Sequence, residues 1–465
     1  MNSFFKKYKI KALIFLSIFN FLSCQPQTTL NNGKTNEYHF KFGGIEDRLI
    51  TVEAIIPVRG DELNMISRPQ RFIPDINSWW DIITIEEIED EQGNSIKIID
   101  ISNDKAKLNQ RVDGVLKIKY TIDISYIDKN YPNLNTAIGK SFKEGFFIVG
   151  KPLFIFEDWK LPVKVQISKP DEVKITVPWE TKDSVYSDIN LRKLMLSNII
   201  ISTDTIGVVD FSIDKFSYSL ATFALEDKSI DLVKQTAKDI SNYYVKTFPF
   251  DHDIRYVQLV YGVSGVNGGG EAYPNSSASA ISKNNMKDSF LWKITVFHEL
   301  FHMWNSHMLN GVAGSADMEW FQEGFTDYMT ELALLKTGHI DASTLSDFQN
   351  QSLKLLKRRL ENNTENITIK NSGSDKGENY VIVYRGGWLI ANWLDNRLKE
   401  ITNDKWNIER LFQQLFIKYP PNGEFVLNVD NLLKDISIID EGISQDLKSI
   451  LNSTNWSTIS NYINQ

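Results

Sequence analysis

The sequence predicts an α+β protein of several domains, and three observations carry this prediction. Alternating apolar and polar residues indicate strands from about residue 36 to about residue 225. Two amphipathic helices that contain a histidine pair and several acids follow this region, and segments with helical apolar spacing fill the last third. A chain of 465 residues with 42% hydrophobic residues can bury a sizeable core.

The first 23 residues read as a signal peptide. Four lysines (Lys6, Lys7, Lys9 and Lys11) precede the apolar stretch 12–23, which is too short to span a bilayer. The end of this stretch, Phe21–Cys24, resembles the bacterial lipobox, and Cys24 is the only cysteine in the chain. We therefore expect a lipid on Cys24, a polar tether over residues 24–35, and a location in the bacterial cell envelope on the extracytoplasmic side. A free thiol in an uncleaved leader is the alternative.

The charge of the chain excludes some partners. Removal of the leader takes away its four lysines and changes the formal net charge from −8 to −12. A charge of this sign argues against nucleic acid and acidic membrane surfaces as partners. No second apolar run has the length of a transmembrane helix, so Cys24 is the only predicted membrane attachment.

Residues 36–225 are predicted to form an N-terminal domain of antiparallel strands. Apolar residues alternate with polar ones over two clear segments, which contain Leu116, Ile118, Tyr120, Ile122 and Ile124, and then Val163, Val165 and Ile167. This period of two is typical of strands that are buried on one face.

Residues 226–342 are predicted to form a domain that carries the chemistry. An amphipathic helix over 229–246 is followed by a strand over 255–261, which leads into the glycine-rich segment Gly268–Tyr273. We expect this strand to be an edge strand, because a peptide laid against it could then form main-chain hydrogen bonds beside the glycine-rich segment.

The motif His298–His302 (HELFH) predicts a zinc site. Helical apolar spacing and a possible N-cap at Asp288 or Ser289 place it in the middle of a helix over 288–307. Residues four apart share one helix face, so both imidazoles can reach one metal ion. Glu299 lies beside that face and can act as the general base of a peptidase, accepting a proton from water activated by the metal.

A catalytic zinc ion needs a third protein ligand, and a second helix over 317–335 offers two. Glu319 and Glu323 are four residues apart and share a face, so spacing alone does not choose between them. Trp320, Phe325 and Leu335 are among the residues predicted to form the buried stripe of this helix.

Together the two helices resemble the glycyl aminopeptidase family of the gluzincin metallopeptidases. The family reads HEFFHxWN and then LWxxEGFTxYY, and this chain has HELFHMWN over 298–305 and WFQEGFTDY over 320–328. The resemblance implies a thermolysin-like α/β catalytic domain that holds one zinc ion per chain and acts on peptides or proteins. It implies that Glu323 is the third ligand and that Asp327 accepts the N–H of His298, which would fix the imidazole tautomer.

The glycine-rich segment Gly268–Tyr273 resembles the family's GGLEH segment. By this resemblance Glu271 would bind the free amino group of the substrate, while Gly269 and Gly270 let the backbone approach the peptide. Ala272 stands where the family has histidine. A glycine-rich loop with an exposed acid is the alternative.

Residues 384–395 resemble the family's YxKGxxxAxxLD helix, which makes Tyr384 the candidate donor to the oxyanion formed at the scissile carbonyl. Gly386 replaces the family's lysine, although Arg385 could restore the positive charge. A shift of one register would put Val383 at the tyrosine position.

Residues 343–465 are predicted to form a C-terminal helical domain, with helices over 348–360, 384–398 and 406–419. Many members of the family add a PDZ domain after the helical part. The segment after Tyr419 lacks the strand pattern of such a domain.

These features predict a zinc-dependent aminopeptidase. A zinc endopeptidase is the alternative if Ala272 and Gly386 mean that the pocket for the amino end is lost. A third possibility, a peptide-binding lipoprotein with little catalysis, is disfavoured by the intact base Glu299.

Overall fold

The computed structural model describes residues 35–66, 78–132, 136–179, 185–203, 208–264, 268–283, 286 and 290–463. The predicted signal peptide, Cys24 and the predicted tether up to residue 34 lie outside the described residues. Residues Thr35–Gln465 form one compact unit. Within the described part of this unit, no helix is both long enough and apolar enough to cross a membrane.

Sixteen strands are present in the described residues. In chain order they are β1 (Asn36–Phe42), β2 (Leu49–Asn64), β3 (Ile83–Asp90), β4 (Ile98–Ser102), β5 (Lys105–Asp123), β6 (Gly139–Ser141), β7 (Gly145–Val149), β8 (Val163–Ser168), β9 (Val173–Thr176), β10 (Val185–Ile189), β11 (Asn198–Thr203), β12 (Val209–Ile213), β13 (Phe216–Phe223), β14 (Ile254–Val263), β15 (Gly269–Tyr273) and β16 (Ser276–Ser282).

The α-helices of the same residues dominate the second half of the chain. They are α1 (Ile124–Asn130), α2 (Leu191–Met195), α3 (Asp227–Thr247), α4 (Leu291–His302), α5 (Thr326–Lys336), α6 (Ala342–Glu361), α7 (Gly387–Thr402), α8 (Ile408–Lys418), α9 (Val429–Ile439), α10 (Glu441–Leu451) and α11 (Trp456–Ile463). The predicted α+β class, with several sheets and a helical C-terminal region, is confirmed. The predicted domain boundaries stay a prediction.

The first sheet contains seven strands in the order β10-β8-β1-β2-β5-β3, with β4 paired to β5. The alternation predicted around residues 116–122 is present in β5, where Leu116, Ile118, Tyr120 and Ile122 are buried. Two details differ from the prediction. Ile124 begins helix α1 instead of extending the strand, because Asp123 caps that helix by accepting from Ser125 N–H. Strand β8 runs parallel to β1, whereas the prediction was an antiparallel sheet.

The second sheet contains four antiparallel strands in the order β6-β7-β11-β9. Apolar side chains of this sheet, including Phe147 and Ile200, form a small core with Phe223, Leu259 and Tyr261 of the third sheet. The N-terminal strands are thereby packed directly against the sheet that carries the candidate site.

The third sheet has the order β12-β13-β14-β16-β15, and the pairs β13–β14 and β14–β16 are parallel. Strand β14, which includes the predicted strand 255–261, is central in this sheet, so the prediction that it forms the edge is wrong. The edge is β15, which contains Glu271. The predicted domain boundary at residue 225 separates β12 and β13 from the three strands that follow in the same sheet.

Helix α4 packs against β15 and β16 and buries Phe297, Leu300 and Phe301 in the largest core. It begins at Leu291, and the two predicted N-cap residues, Asp288 and Ser289, lie outside the described residues. Leu291, in the open first turn of the helix, is 45% exposed. After His302 the chain continues as a π-helix over Met303–His307.

The second predicted helix is present with an irregular start. A 3-10 turn over Ala316–Met318 and a π-helix over Phe321–Phe325 precede α5. Trp320 and Phe325 are buried as predicted, while Leu335 in the last turn is 37% exposed. Helix α3 faces the core mainly through Val233, Ala237 and Ile240, and Leu232 of this helix is 38% exposed.

Two glycines bring the Glu323 helix against the helix that follows Tyr384. A Cβ atom on Gly324 would lie 2.2 Å from the carbonyl carbon of Gly387, and one on Gly387 would lie 1.9 Å from the Trp320 carbonyl oxygen. Any side chain at either position would force the backbones apart. Helices α8 to α11 complete this part of the molecule, with Phe412, Leu432 and Leu447 in the same core.

Candidate metal centre

The HELFH motif lies in the last two turns of α4, and the turn geometry brings its histidines together. The rings of His298 and His302 have centroids 4.6 Å apart and are nearly perpendicular. Both side chains are buried, as is Glu323 on the neighbouring helix. The ligand atoms of these three residues lie within 4.8 Å of one another, which is compatible with one metal ion.

One oxygen of Glu323 faces both imidazoles. Glu323 Oε2 lies 3.1 Å from Nε2 of His298 and 3.4 Å from Nε2 of His302. Glu319, the other acid that spacing allowed, lies outside this group of ligand atoms. The spacing allowed either glutamate to be the third ligand, and in the structure it is Glu323 that lies with the two histidines.

The second nitrogen of each imidazole is engaged by a neighbour. Nδ1 of His298 lies 2.8 Å from Asp327 Oδ1, and Nδ1 of His302 lies 3.0 Å from Ser306 Oγ. Because a carboxylate can only accept, His298 donates its Nδ1–H to Asp327 and keeps the Nε2 lone pair for a metal ion. Asp327 also accepts from Arg385 Nη1 at 3.0 Å.

Asn305 connects the two helices of the site. Its side-chain amide lies 3.0 Å and 2.9 Å from the carbonyl oxygens of Phe321 and Gln322 and 3.0 Å from Thr326 Oγ1. Two of these acceptors belong to the π-helical turn that contains Glu323, where the regular pattern of backbone bonds is interrupted, and Thr326 begins α5 directly after it. Asn305 thereby holds the turn that presents Glu323.

The electrostatics of this centre favour a cation. Burial tends to lower the pKa of His298, but its hydrogen bonds with Asp327 and Glu323 raise it to about 10. Burial of Glu323 is outweighed by His302 and Lys376, which hold the pKa of this carboxyl well below its usual value. Two imidazoles and the Glu323 carboxylate form a buried donor set that a dication fits, with the negative charge of Asp327 behind His298.

Glu299 lies on the same helix turn, with its carboxyl next to strand β15. Burial, reinforced by Glu323 and Glu271 and only partly offset by His298, raises the pKa of Glu299 to about 8. A Cβ atom on Gly270 would lie 2.3 Å from Cγ of Glu299, so only glycine fits beside it. Gly269, the other predicted substrate-binding glycine, has open space at its Cβ position.

A cavity of about 540 Å³ opens beside these residues. Its lining includes Gly269, Gly270, His298, Glu299 and Tyr384. The ring of Tyr384 stacks on His298 at 5.9 Å and on Tyr380 at 4.2 Å. Tyr384 belongs to a π-helix over Ile382–Gly386, and burial raises the pKa of its phenol.

Glu271, the predicted amino-group ligand, follows Gly270 on β15, and its side chain is 37% exposed. Its Oε1 lies 4.0 Å from Nζ of Lys151, a buried lysine of the short 3-10 helix Lys151–Leu153. Burial lowers the pKa of Lys151, and the Glu271 carboxylate counteracts this effect.

Sequence reasoning missed three contributors to the site, namely Lys151, Ser306 and Lys376. Lys376 Nζ contacts Oε1 of Glu323 and lies 3.1 Å from Glu319 Oε2. The one available signal for Lys151 is a lysine at the start of an otherwise apolar run, Lys151–Phe156. Lys376 lies in a polar loop, where nothing distinguishes it from a solvated lysine.

No protein-family model and no curated protein matches this sequence. Several solved structures share its fold. An aminopeptidase N family protein from Idiomarina loihiensis superposes with a TM-score of 0.70 and 19% identity, over 92% of this chain and 78% of that one. An M1 zinc metallopeptidase from Deinococcus radiodurans, bound to a Tyr-Ser-Ala substrate, gives a TM-score of 0.54 and 10% identity, over 91% and 94%. Leukotriene A4 hydrolase from Saccharomyces cerevisiae gives 0.53 and 13%, over 91% and 68%.

Proposed function

We propose that the protein is a zinc metallopeptidase that releases residues from the amino end of peptides. The observation that carries this proposal is the convergence of His298, His302 and Glu323 ligand atoms within 4.8 Å, with Glu299 on the same helix turn as the histidines. The fold shared with solved zinc metallopeptidases, one of them bound to a tripeptide, supports it.

The residues present fit one zinc ion per chain. His298 and His302 would bind it through Nε2, since the Nδ1 atoms are engaged by Asp327 and Ser306, and Glu323 would bind it through Oε2. Two imidazoles and one carboxylate form the protein ligand set of hydrolytic zinc sites that leave a position for water. Zinc, when bound, supplies a Lewis acid that acidifies water and polarises the scissile carbonyl.

Glu299 is the proposed general base. Its carboxyl lines the cavity and lies on the same helix turn as the two histidines, within reach of water at the metal position. It would accept a proton from the attacking water and donate that proton to the leaving amine. Gly270 leaves the space in which this carboxyl lies beside β15.

Tyr384 is the proposed donor to the oxyanion. Its ring lies against His298, it lines the cavity, and its raised phenol pKa keeps the hydroxyl protonated. A neutral phenol can donate a hydrogen bond to the negative oxygen that forms when water attacks the carbonyl.

Glu271 is the proposed ligand of the substrate's amino group. It stands on the edge strand β15, directly after the two glycines that line the cavity. A peptide that pairs with this edge would place its amino end near the Glu271 carboxylate.

An endopeptidase is the second candidate, and the contact between Lys151 and Glu271 favours it. Because a cation already lies 4.0 Å from Glu271, this carboxylate does not depend on a substrate ammonium for its counter-charge. A series of matched peptides with free and acetylated amino ends separates the two candidates, since an aminopeptidase fails on blocked ends.

The decisive experiment for a zinc peptidase is Glu299→Gln in zinc-loaded protein. We expect turnover to fall to background while the zinc content measured by mass spectrometry stays at one ion per chain. Unchanged peptide hydrolysis in this variant would reject the mechanism, and His298→Ala should lose both zinc and activity.

We also propose that Cys24 anchors the protein by a lipid on the extracytoplasmic side of the bacterial cell envelope. The lysine-rich start, the short apolar stretch and the lone cysteine of the sequence support this. Cys24→Ser should move the protein from the membrane fraction to the soluble fraction and abolish incorporation of labelled fatty acid. A variant that stays in the membrane fraction without label would contradict a lipid anchor.

A further inference from the structure

Lys151 is an unusual component of the region around Glu271, because it comes from the N-terminal sheets and is almost completely buried. It follows β7 at the start of a 3-10 helix and is 6% exposed. The rings of Tyr273 and Trp79 lie 4.8 Å and 6.0 Å from its Nζ. The ammonium group is therefore held in a fixed, largely apolar setting 4.0 Å from Glu271, the proposed ligand of the substrate's amino group.

The hydrogen-bonding capacity of Lys151 is not filled by its described neighbours. An ammonium group has three N–H donors. Among the residues that the structure describes, the hydrogen-bond acceptor recorded for Nζ is Tyr273 Oη at 3.2 Å. The nearest Glu271 oxygen is 4.0 Å away, which is longer than a hydrogen bond. A buried cation with open donors is costly, and an anionic group that reaches it gains a strong interaction.

The neighbouring Glu271 carboxylate differs from Lys151 in charge and in exposure. Its side chain is 37% exposed, and it follows the two glycines that line the cavity. The region thus presents a positive group and a negative group that lie 4.0 Å apart. A ligand that carries both charges on one amino acid would complement both groups, with its ammonium on Glu271 and its carboxylate on Lys151.

We infer that Lys151 is a specificity-determining residue that selects peptides whose first residue is aspartate or glutamate. The side-chain carboxylate of that residue would accept hydrogen bonds from Lys151 while its α-ammonium pairs with Glu271. A neutral first residue leaves the open donors of Lys151 unpaired, and a first lysine brings a like charge toward it. This inference rests on the proposed aminopeptidase function and names its substrate class.

The test uses the full-length, zinc-loaded protein and a set of aminoacyl reporters with the same leaving group. Glutamyl is compared with glutaminyl, aspartyl with asparaginyl, and lysyl serves as the cationic case. We expect kcat/KM for each acidic reporter to exceed that for its amide by at least about tenfold, because one charge-assisted contact distinguishes the members of each pair.

Two variants of Lys151 assign the preference to this side chain. Lys151→Gln and Lys151→Met should bring the ratio between glutamyl and glutaminyl reporters close to one, and thermal unfolding shows that each variant is folded. Lys160→Gln is the matched control, because Lys160 is an exposed lysine nine residues away in the same region, and it should keep the ratio of the wild-type protein. Equal and measurable rates on acidic and amide reporters in the wild type, or a preference that survives in both Lys151 variants, would overturn the inference.

A binding measurement separates this inference from the proposed function. In the zinc-loaded Glu299→Gln variant, calorimetry with the tripeptides Glu-Ala-Ala and Gln-Ala-Ala reports recognition without turnover. Tighter binding of Glu-Ala-Ala that is lost with Lys151→Gln supports the role of Lys151. This holds even if the wild type hydrolyses none of the reporters, because the lack of hydrolysis would reject only the proposed peptidase. Equal binding of the two tripeptides would overturn the role of Lys151 while leaving the peptidase intact.

Discussion

Lys376 contacts the oxygen of Glu323 that faces away from the two histidines. Its Nζ is hydrogen-bonded to Oε1, whereas Oε2 of the same carboxylate faces His298 and His302. Lys376 also lies 3.1 Å from Glu319. The lysine therefore orients Glu323 so that one oxygen is left for the metal, and it compensates the charges of the buried Glu323 and the half-buried Glu319 at once.

Loss of this lysine should weaken metal binding. With Lys376→Met, the two carboxylates lose their shared cation, and the buried Glu323 is expected to rotate or to bind a proton. We expect zinc affinity to fall by about 10–100-fold, as for other partners of metal ligands. Competition with a chelating dye measures this, with the exposed Lys354→Met as the control. Tighter zinc binding in Lys376→Met would mean that repulsion between the lysine and the metal dominates instead.

Asp327 should increase zinc affinity through its hydrogen bond with His298. Asp327→Asn keeps the shape and an acceptor for Nδ1–H of His298 but removes the negative charge behind the imidazole. The histidine becomes a weaker donor to the metal, and we expect zinc affinity to fall by about 10–100-fold. The same dye competition measures it. An affinity equal to that of Asp347→Asn, an exposed acid on α6, would contradict a role for Asp327.

The glycine beside Glu299 gives a prediction with an internal control. In Gly270→Ala the new Cβ would lie 2.3 Å from Cγ of Glu299, so the base or the strand must move. A displacement of this kind is expected to lower kcat by about 100-fold, while zinc content stays unchanged because no metal ligand is touched.

Gly269→Ala is the control for this change, because no described atom lies within 4 Å of the Cβ position at Gly269. It places the same methyl group on the neighbouring residue of β15 without contacting Glu299, so kcat should be kept and any effect should be confined to KM, because Gly269 lines the cavity. Equal rates in the two alanine variants would show that Glu299 does not require the space at Gly270.

Glu331 should make stability depend on pH. It is buried in α5, where it accepts from Trp388 Nε1 at 2.8 Å and Gln349 Nε2 at 2.9 Å, and burial raises its pKa to about 7. The folded protein therefore holds this proton more tightly than the unfolded chain. The resulting stabilisation is complete below the unfolded pKa and is lost as pH rises through about 7.

The measurement is urea unfolding of the wild type and of Glu331→Gln at pH 5 and pH 8. Between these values the wild type should lose about 2 kcal/mol more unfolding free energy than the variant, because only the wild type has the carboxyl. Parallel pH profiles of the two proteins would show that Glu331 is ionised at both pH values.

The sequence allowed the local part of the site to be predicted. The spacing within His298–His302 places two imidazoles on one face of a helix, and a second helix with acids at helical spacing follows closely. The choice of Glu323 over Glu319 was not contained in the spacing. It depends on Asn305, which binds the π-helical turn that contains Glu323, and on Lys376, which contacts both acids and leaves Oε2 of Glu323 facing the histidines.

Contacts between distant segments could not be read from local patterns. Lys151 reaches Tyr273 across 122 residues and Lys376 reaches Glu323 across 53, and neither distance leaves a periodic signal. The order of strands in a sheet cannot be predicted from local patterns either, because the apolar pattern of 255–261 is the same whether the strand is central or at an edge. The position of β14 between two parallel neighbours therefore had to come from the structure.

The five-stranded sheet has a practical consequence for work on shortened forms of the protein. A fragment that begins at residue 226 would retain α4 and the Glu323 helix but lose β12 and β13. Strand β14 would then expose a row of unpaired backbone groups and an apolar face, including Leu259 and Tyr261, that are covered in the intact chain. We expect such a fragment to aggregate during expression, whereas one that begins at residue 35 keeps the sheet whole.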